Sequence, residues 1–278
     1  MKKTTISLLS LSELLDRSRQ EIQSRFAPLF LLALFVPFAT WLIPSILLGF
    51  SPAKQTDMIY AHPFLALFSM ILNAVVVVWL TAALILYVCK RVQKISQALF
   101  LALKKTPRLL LGFLFYIVPL MLLSALGGLV SFGLEIWLSG GGILYWLCNT
   151  LFFLVVAACL VAVSVYFILL PYVLVLMEMS VKDCLVAAFQ LVHHHFWRTL
   201  WLLIILMIIT FIVGGLTSLI IMLTGSLFQF FAPASRYLFV FLGFIPAALS
   251  LLIFHIPLIA WYINLTLQLW SPEEQVLD

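Results

Sequence analysis

The sequence predicts an all-α fold, a polytopic membrane helix bundle with six transmembrane helices arranged as three hairpins. Composition is the first observation behind this prediction, since 65% of the 278 residues are hydrophobic and 9% are charged. An average soluble domain has roughly 45–50% apolar and about 25% charged residues. With a mean hydropathy of +1.23, the chain has too few polar residues to cover a water-soluble surface. Its low charge also excludes a disordered chain.

The length of the apolar stretches is the second observation. A transmembrane helix needs about 20 mostly apolar residues, and six stretches of the chain meet this length. We place the spans at residues 27–50, 64–89, 109–138, 143–170 with an extension towards 179, 199–224 and 238–270. The whole chain is therefore expected to form a single integral membrane domain, 1–278.

The distribution of basic residues predicts the orientation of the spans. Thirteen of the fifteen Lys and Arg residues fall in segments 1–26, 90–108 and 180–198, and the other two are Lys54 and Arg236. Cytoplasmic segments of membrane proteins carry an excess of Lys and Arg. Both termini are therefore predicted to lie in the cytoplasm.

An internal repeat is the third observation, and it divides the chain into three units. With a shift of 90 residues, the segment from Ala98 aligns without gaps on the segment from Ala188, so that Arg108 coincides with Arg198. The amino terminus forms a weaker third copy. Each unit is predicted to be a cytoplasmic amphipathic helix followed by a hairpin. The helices are assigned to 1–26, 90–108 and 180–198, the hairpins to 27–89, 109–179 and 199–270, and a cytoplasmic tail to 271–278.

Capping signals and apolar stripes indicate where these amphipathic helices begin and which face they bury. Ser10 with Glu13, and Ser180 with Asp183, have the spacing of a capping box. Glu178 lies near the end of the fourth span, where we expect it to cap a helix or to reach the membrane interface. Two stripes follow helical spacing. They comprise Leu8, Leu11, Leu15, Ile22 and Phe26 in the first helix, and Val181, Cys184, Leu185, Ala188, Leu191 and Val192 in the last.

Two segments resemble a known family. The stretch LLPYVLVLMEMSVKDCLVAAFQLVHHHFWRTL has a proline at a span's end, an acidic residue at Glu178, a loop helix and a basic residue before the next span. This pattern, together with RVQKISQALFLALKKTPRLLLGFL, resembles the YciC-like family of uncharacterised bacterial membrane proteins. The resemblance implies a six-helix protein of the bacterial inner membrane, and it implies no catalytic residues.

Polar residues inside the spans are the candidates for an intramembrane site. His255 is the deepest ionisable one, and Asn73, Asn149 and Asn264 are neutral. An ionisable residue in a span is a functional hypothesis by default. However, a neutral histidine beside Pro257 can also bond a carbonyl that the proline frees, and this structural interpretation is favoured.

Basic residues at the span entrances are candidates for contact with lipid headgroups. These are Lys104, Lys105, Arg108 and Arg198. The simpler interpretation is that they set topology and extend towards the interface. The alternative is that they bind anionic lipids together with the amphipathic helices.

The run His193–His195 does not have ligand spacing for a metal, because consecutive residues of a helix point in different directions. We interpret it as polar side chains at a helix end, and the alternative is a role in metal or pH sensing. No sequence motif of a nucleotide-binding or hydrolytic enzyme is present, so we expect no catalytic residues, cofactor, metal or nucleic acid partner.

Three function classes remain open. The favoured one is a non-enzymatic membrane protein that organises or associates with membrane lipids, anionic ones included. The alternative is a small-molecule or lipid transporter or channel, because repeats and broken helices are typical of transporters. A membrane-embedded lipid enzyme is disfavoured, since no clustered acid–base pair is seen. Protein partners are not indicated by the sequence.

Overall fold

The computed structural model describes residues 9–48, 62–89, 92, 94–137, 142–231 and 242–269. Over these residues the chain is almost entirely α-helical and contains no strand, which confirms the all-α fold class. The helices are α1 (Leu11–Ser24), α2 (Phe26–Leu48), α3 (Pro63–Val88), α4 (Ile95–Trp137), α5 (Ile143–Phe167), α6 (Leu170–Leu176), α7 (Val181–His193), α8 (Phe196–Phe231) and α9 (Phe244–Leu269).

Six segments of these helices are long and apolar enough to cross a membrane. They are Phe26–Leu48, Pro63–Val88, Ile95–Gly133, Trp146–Leu176, Phe196–Thr224 and Phe244–Leu267. Large apolar side chains on these segments point away from the protein, with Phe64 87% and Phe211 81% exposed. Exposed apolar surface on this scale is stable only in an apolar solvent. The chain is therefore a multi-pass membrane protein.

Two helix boundaries differ from the pattern expected from the sequence. The fourth span is interrupted at Ile168 and Leu169, between α5 and α6, just before Pro171 in the first turn of α6. A proline lacks the N–H that would continue the helix. In contrast, α4 runs without a break through Pro107, so that the second loop helix and the third span form one helix.

The chain divides into two compact units, Met1–Pro107 with Trp201–Asp278, and Arg108–Leu200. In the first unit, α2 packs against α3 and α9, and α1 packs against α9. The capping box predicted at the start of α1 is confirmed. The Ser10 backbone N–H donates to Glu13 Oε2 at 2.8 Å, and the Glu13 N–H donates to Ser10 Oγ at 3.3 Å.

The predicted apolar stripe of α1 is wrong in its centre. The residues that α1 buries are Leu14 and Ser18, whereas Leu11 is 38% and Phe26 46% exposed. Leu15 and Ile22 are half-buried, and Leu8 lies outside the described residues. Leucines occur on neighbouring faces of this helix, so its packing partner α9 decides which of them is covered.

In the second unit, α7 packs against α5 and α6. Its buried residues are Cys184, Ala187, Ala188, Leu191 and Val192. Four of these belong to the predicted stripe, and Val181 and Leu185 of that stripe are half-buried. The small side chains on this face allow α7 to approach its neighbours closely.

Candidate functional site

A cavity of about 280 Å³ lies between α1, the end of α3 and the last turns of α9. We call it the α1 pocket. Its lining residues are Leu9, Arg17, Ser18 and Glu21 on or beside α1, Val88 and Cys89 at the end of α3, and Ile256, Ile259, Ala260, Ile263, Asn264 and Leu267 on α9. Its volume is just below the range for small-molecule sites, about 300–1,000 Å³.

The polar side chains from α1 lie on one side of this pocket. Arg17 and Glu21 are four residues apart on a helix, so their side chains share a face. The Ser18 hydroxyl donates to the Leu14 carbonyl at 2.7 Å, so its proton is already used within α1. Arg17 is exposed and Glu21 is half-buried. Arg17 and Glu21 therefore place one positive and one negative charge at the pocket.

The Glu21 carboxylate also lies near Arg25. The distance from Arg25 Nε to Glu21 Oε1 is 3.9 Å, which is longer than a hydrogen bond. This is an electrostatic contact between partly exposed groups, and such pairs contribute little to stability.

Asn264 supplies the polar group from α9. It is 5% exposed, and its Nδ2 is a buried donor for which no acceptor exists among the described residues. An unsatisfied buried donor costs about 1–3 kcal/mol. Such a group persists at low cost when a ligand or an ordered water supplies the missing acceptor. Because Asn264 also lines the α1 pocket, the pocket is where that acceptor would be bound.

The remaining wall of the pocket is apolar. Aliphatic side chains of α9, including Ile256, Ile259 and Leu267, face Val88 of α3 across it. Arg17 and Glu21 precede the first span, Val88 ends the second, and Leu267 ends the sixth. The pocket therefore combines a polar side next to the ends of three spans with a wall of hydrocarbon. This is the arrangement that an amphiphilic molecule requires.

A second polar cluster, in the other unit, is formed by Arg108. Its Nη1 donates to the Met177 carbonyl at 2.7 Å and its Nη2 to the Met179 carbonyl. The same Nη2 contacts Cys184 Sγ at 2.9 Å, and Nε is buried without an acceptor in the described part of the chain. We call this the Arg108 cluster. The guanidinium holds the short segment between α6 and α7 and is not directed to a lipid headgroup alone.

Three further residues of that segment were singled out by the sequence. Ser180 is the N-cap of α7, and its Oγ accepts from the Asp183 N–H at 3.2 Å and donates to Asp183 Oδ2 at 2.5 Å. Glu178 is exposed. These contacts begin α7 directly after the backbone that Arg108 binds.

The other intramembrane candidates do not line the α1 pocket. His255 is half-buried on α9, with its ring edge-on to Phe254 at 5.7 Å between centroids. The Oδ1 atoms of Asn73 on α3 and Asn149 on α5 are buried, and no donor among the described residues reaches them. Of the four polar candidates, only Asn264 lies in the pocket.

Among the other basic candidates, Lys104 and Arg198 are exposed and Lys105 is half-buried. The Lys104 ammonium lies 5.2 Å from the centre of the Phe100 ring, within the range of a cation–π contact.

The three histidines differ in surroundings. The His193 ring stacks on Phe189 at 5.4 Å and lies 6.3 Å from Tyr166, and His194 meets His193 edge-on. Partial burial lowers the pKa of His195, and the positive charges of Arg198 and His194 lower it further. Within the described ranges, no three His, Cys, Asp or Glu side chains come together as metal ligands.

Arg17 and Glu21 are the residues that the sequence reasoning missed. Their spacing of four on an amphipathic helix was visible, but it is common on solvated helix faces. Only the packing of α1 against α9 brings these charges to the same cavity as Asn264.

Comparison of the sequence with protein-family models, with curated proteins and with solved structures returns no match.

Proposed function

We propose that this multi-pass membrane protein has a non-enzymatic, lipid-associated role, and that it binds a membrane phospholipid in the α1 pocket. The observation that carries the proposal is the Asn264 amide, a buried donor for which the described residues supply no acceptor, at the boundary between a charged side and an aliphatic wall. A phospholipid supplies acceptor oxygens for Asn264 and Arg17, and an acyl chain for the wall formed by α3 and α9.

The same proposal includes the bacterial inner membrane and cytoplasmic termini. The thirteen-to-two distribution of basic residues supports this orientation, and the resemblance to the YciC-like family supports the membrane. The pocket supports the six-span count, because the start of span one and the ends of spans two and six lie on one side of the membrane in a six-span chain. Reporter fusions after Ser51, Gly141 and Gly225 are expected to report the outside, and a fusion at the carboxyl terminus the inside.

Filling the pocket tests the binding proposal. Ala260→Phe places a ring in the cavity, whereas Ala74→Phe adds the same ring at an exposed position of α3. We expect the wild type and Ala74→Phe to retain phospholipid after purification in mild detergent, measured by native mass spectrometry. Loss of one charge-assisted hydrogen bond, about 1.5–3 kcal/mol, already lowers retention about tenfold, and Ala260→Phe is expected to lower it at least that much.

Folding is checked by size-exclusion chromatography and thermal melting. If Ala260→Phe is not monodisperse, Ala260→Leu provides a smaller filling side chain for the same measurement. Equal phospholipid retention by the wild type and a folded Ala260 variant would contradict the proposed function.

A further inference from the structure

Building on the proposed phospholipid-binding function, we infer that the α1 pocket recognises the acyl ester carbonyl of the lipid and so selects ester-linked over ether-linked phospholipids. The inference rests on the Asn264 Nδ2 donor, for which the described residues supply no acceptor. Asn264 is 5% exposed and lines the pocket. A ligand that satisfies this donor must therefore present an acceptor oxygen at a buried position.

The position of Asn264 in α9 corresponds to the depth of the glycerol esters. The sixth span ends at Leu267, and with a rise of 1.5 Å per residue Asn264 lies about 4.5 Å from that end along the helix axis. The phosphates of a bilayer lie in the polar layer outside the hydrocarbon core, whereas the ester carbonyls lie at the boundary of that core. The ester oxygens of a bound phospholipid are therefore the ones that come closest to Asn264.

An apolar stripe on α9 continues from Asn264 towards the middle of the sixth span. Ala260 and Ile256 precede Asn264 by four and eight residues, so the three side chains share one face of the helix, and all three line the pocket. Ile256 lies about 12 Å from Asn264 along the axis. A ligand that fits both features has an acceptor oxygen at the head of a hydrocarbon chain. An acyl ester has this structure, because its carbonyl carbon is the first carbon of the chain.

An ether-linked phospholipid lacks only this acceptor. Its headgroup, glycerol and hydrocarbon chains match those of the ester lipid, but a CH2 group replaces each carbonyl, and the remaining ether oxygen is a weaker acceptor. With the ether lipid bound, the Asn264 N–H stays without a strong acceptor in an apolar site, and leaving a buried donor unsatisfied is costly. The Arg17 guanidinium pairs with phosphate oxygens, which are the same in both lipids, so it contributes equally to both.

The test uses the full chain in mild detergent with equimolar dioleoyl phosphatidylglycerol and its dioleyl ether analogue. The two lipids differ in mass, so native mass spectrometry measures the retention of each in one sample. We expect the wild type to retain the ester lipid about tenfold over the ether lipid, which corresponds to about 1.4 kcal/mol. A single hydrogen bond between neutral groups has an effect of this size.

Three variants test whether Asn264 causes the preference. Asn264→Leu is expected to reduce retention of the ester lipid and to bring the ratio of the two lipids close to one. Asn73→Leu makes the same change on α3, outside the pocket, and is expected to keep the wild-type ratio. Arg17→Gln is expected to weaken retention of both lipids and to leave their ratio unchanged. If Asn264→Leu is not monodisperse in size-exclusion chromatography, Asn264→Ala removes the same donor.

The outcomes distinguish this inference from the proposed function. If the wild type does not prefer the ester lipid, or if a folded Asn264 variant keeps the wild-type ratio, recognition of the ester carbonyl is overturned. The proposed function still holds in that case if Ala260→Phe lowers the retention of both lipids. If folded Ala260→Phe retains both lipids as the wild type does, the α1 pocket is not the lipid site and both proposals are wrong.

Discussion

The helices α1 and α7 have the same local design, and they differ in how their buried faces are completed. Each begins with a serine N-cap and an acidic residue three positions later, and each precedes an apolar span. In α7, a row of small and aliphatic side chains is buried, and Arg108 satisfies the carbonyls just before the helix. In α1, Leu14 and Ser18 are the buried residues, and beside the helix lies a cavity whose Asn264 amide finds no acceptor among the described residues.

This difference indicates which of the two amphipathic helices can take a ligand. Around α7, the Arg108 guanidinium donates to the Met177 and Met179 carbonyls, and its Nε is the atom of this group that lacks an acceptor among the described residues. The α1 pocket has an open apolar wall and a donor, Asn264 Nδ2, without an acceptor among the described residues, and in the function we propose a phospholipid supplies that acceptor. The same helical pattern therefore serves a structural purpose in one unit and, as we propose, a binding purpose in the other.

Substitution of Arg108, which contacts the segment just before α7, should lower the free energy of unfolding more than any other change considered. Arg108→Met removes the charge-assisted hydrogen bonds to the Met177 and Met179 carbonyls, and a hydrogen bond to a charged group contributes about 1.5–3 kcal/mol. We expect the free energy of unfolding in detergent micelles to fall by roughly 3 kcal/mol. The matched variant Arg198→Met, at an exposed repeat position, should change it by less than about 0.5 kcal/mol. Equal effects of the two variants would show that the Arg108 cluster does not hold this region.

A larger side chain at Gly112, one helical turn after Arg108, should cause the next largest loss of stability. A Cβ atom at Gly112 would collide with the Leu174 side chain of α6, whereas one at Gly128 has no described atom within 4 Å. Because Leu174 is buried, Gly112→Leu is expected to destabilise by roughly 2 kcal/mol, and Gly128→Leu to be neutral. Thermal melting in detergent measures both variants. A neutral Gly112→Leu would mean that α4 and α6 are not tightly packed there.

Substitution of Asn264 should raise, rather than lower, the stability of the lipid-free protein. Asn264→Leu removes a buried donor that has no acceptor in the described part of the chain, and this is expected to raise the stability of delipidated protein by about 1 kcal/mol. The variant should also lose the stabilisation that added phospholipid gives to the wild type. Thermal melting with and without added lipid measures both effects. If lipid stabilises Asn264→Leu as much as the wild type, this amide does not contact the ligand.

Acidification should loosen α1 by the smallest amount. Two hydrogen bonds from Ser10 lower the pKa of Glu13 below its usual 4.5, and the bond from the backbone N–H contributes more than the bond from the hydroxyl. A lowered carboxyl pKa contributes stability above the unfolded value, and this is lost as the pH falls through the folded value. We expect hydrogen-exchange protection of α1 to fall below about pH 4.5, and less so in Glu13→Gln. A Glu13→Gln variant with the same pH dependence would assign the change to another group.

The features that follow local rules could be predicted from the sequence. Apolar runs predicted the six spans, and Ser10 with Glu13 predicted the capping box that begins α1. The stripe of α7 was largely predictable because polar residues such as Lys182 and Asp183 flank it on the exposed face.

The features that depend on distant partners could not be predicted. Arg108 lies at a span entrance, where basic residues usually set topology, and its carbonyl partners are exposed only because the chain breaks between α6 and α7. Asn264 was recognised as a polar residue in a span, but its connection to Arg17 and Glu21 depends on α1 packing against α9. Periodicity within a segment carries no information about such pairings.

Photochemical labelling tests the lipid-binding pocket most directly. Phosphatidylethanolamine with a diazirine in its acyl chain is incorporated into vesicles with the full chain, irradiated, and the labelled peptides are mapped by mass spectrometry. The account predicts concentrated labelling of Ile256, Ile259 and Ala260 on α9 and of Val88 on α3, suppressed in Ala260→Phe. Labelling spread over exposed side chains such as Phe211, with the α9 residues unlabelled, would contradict it.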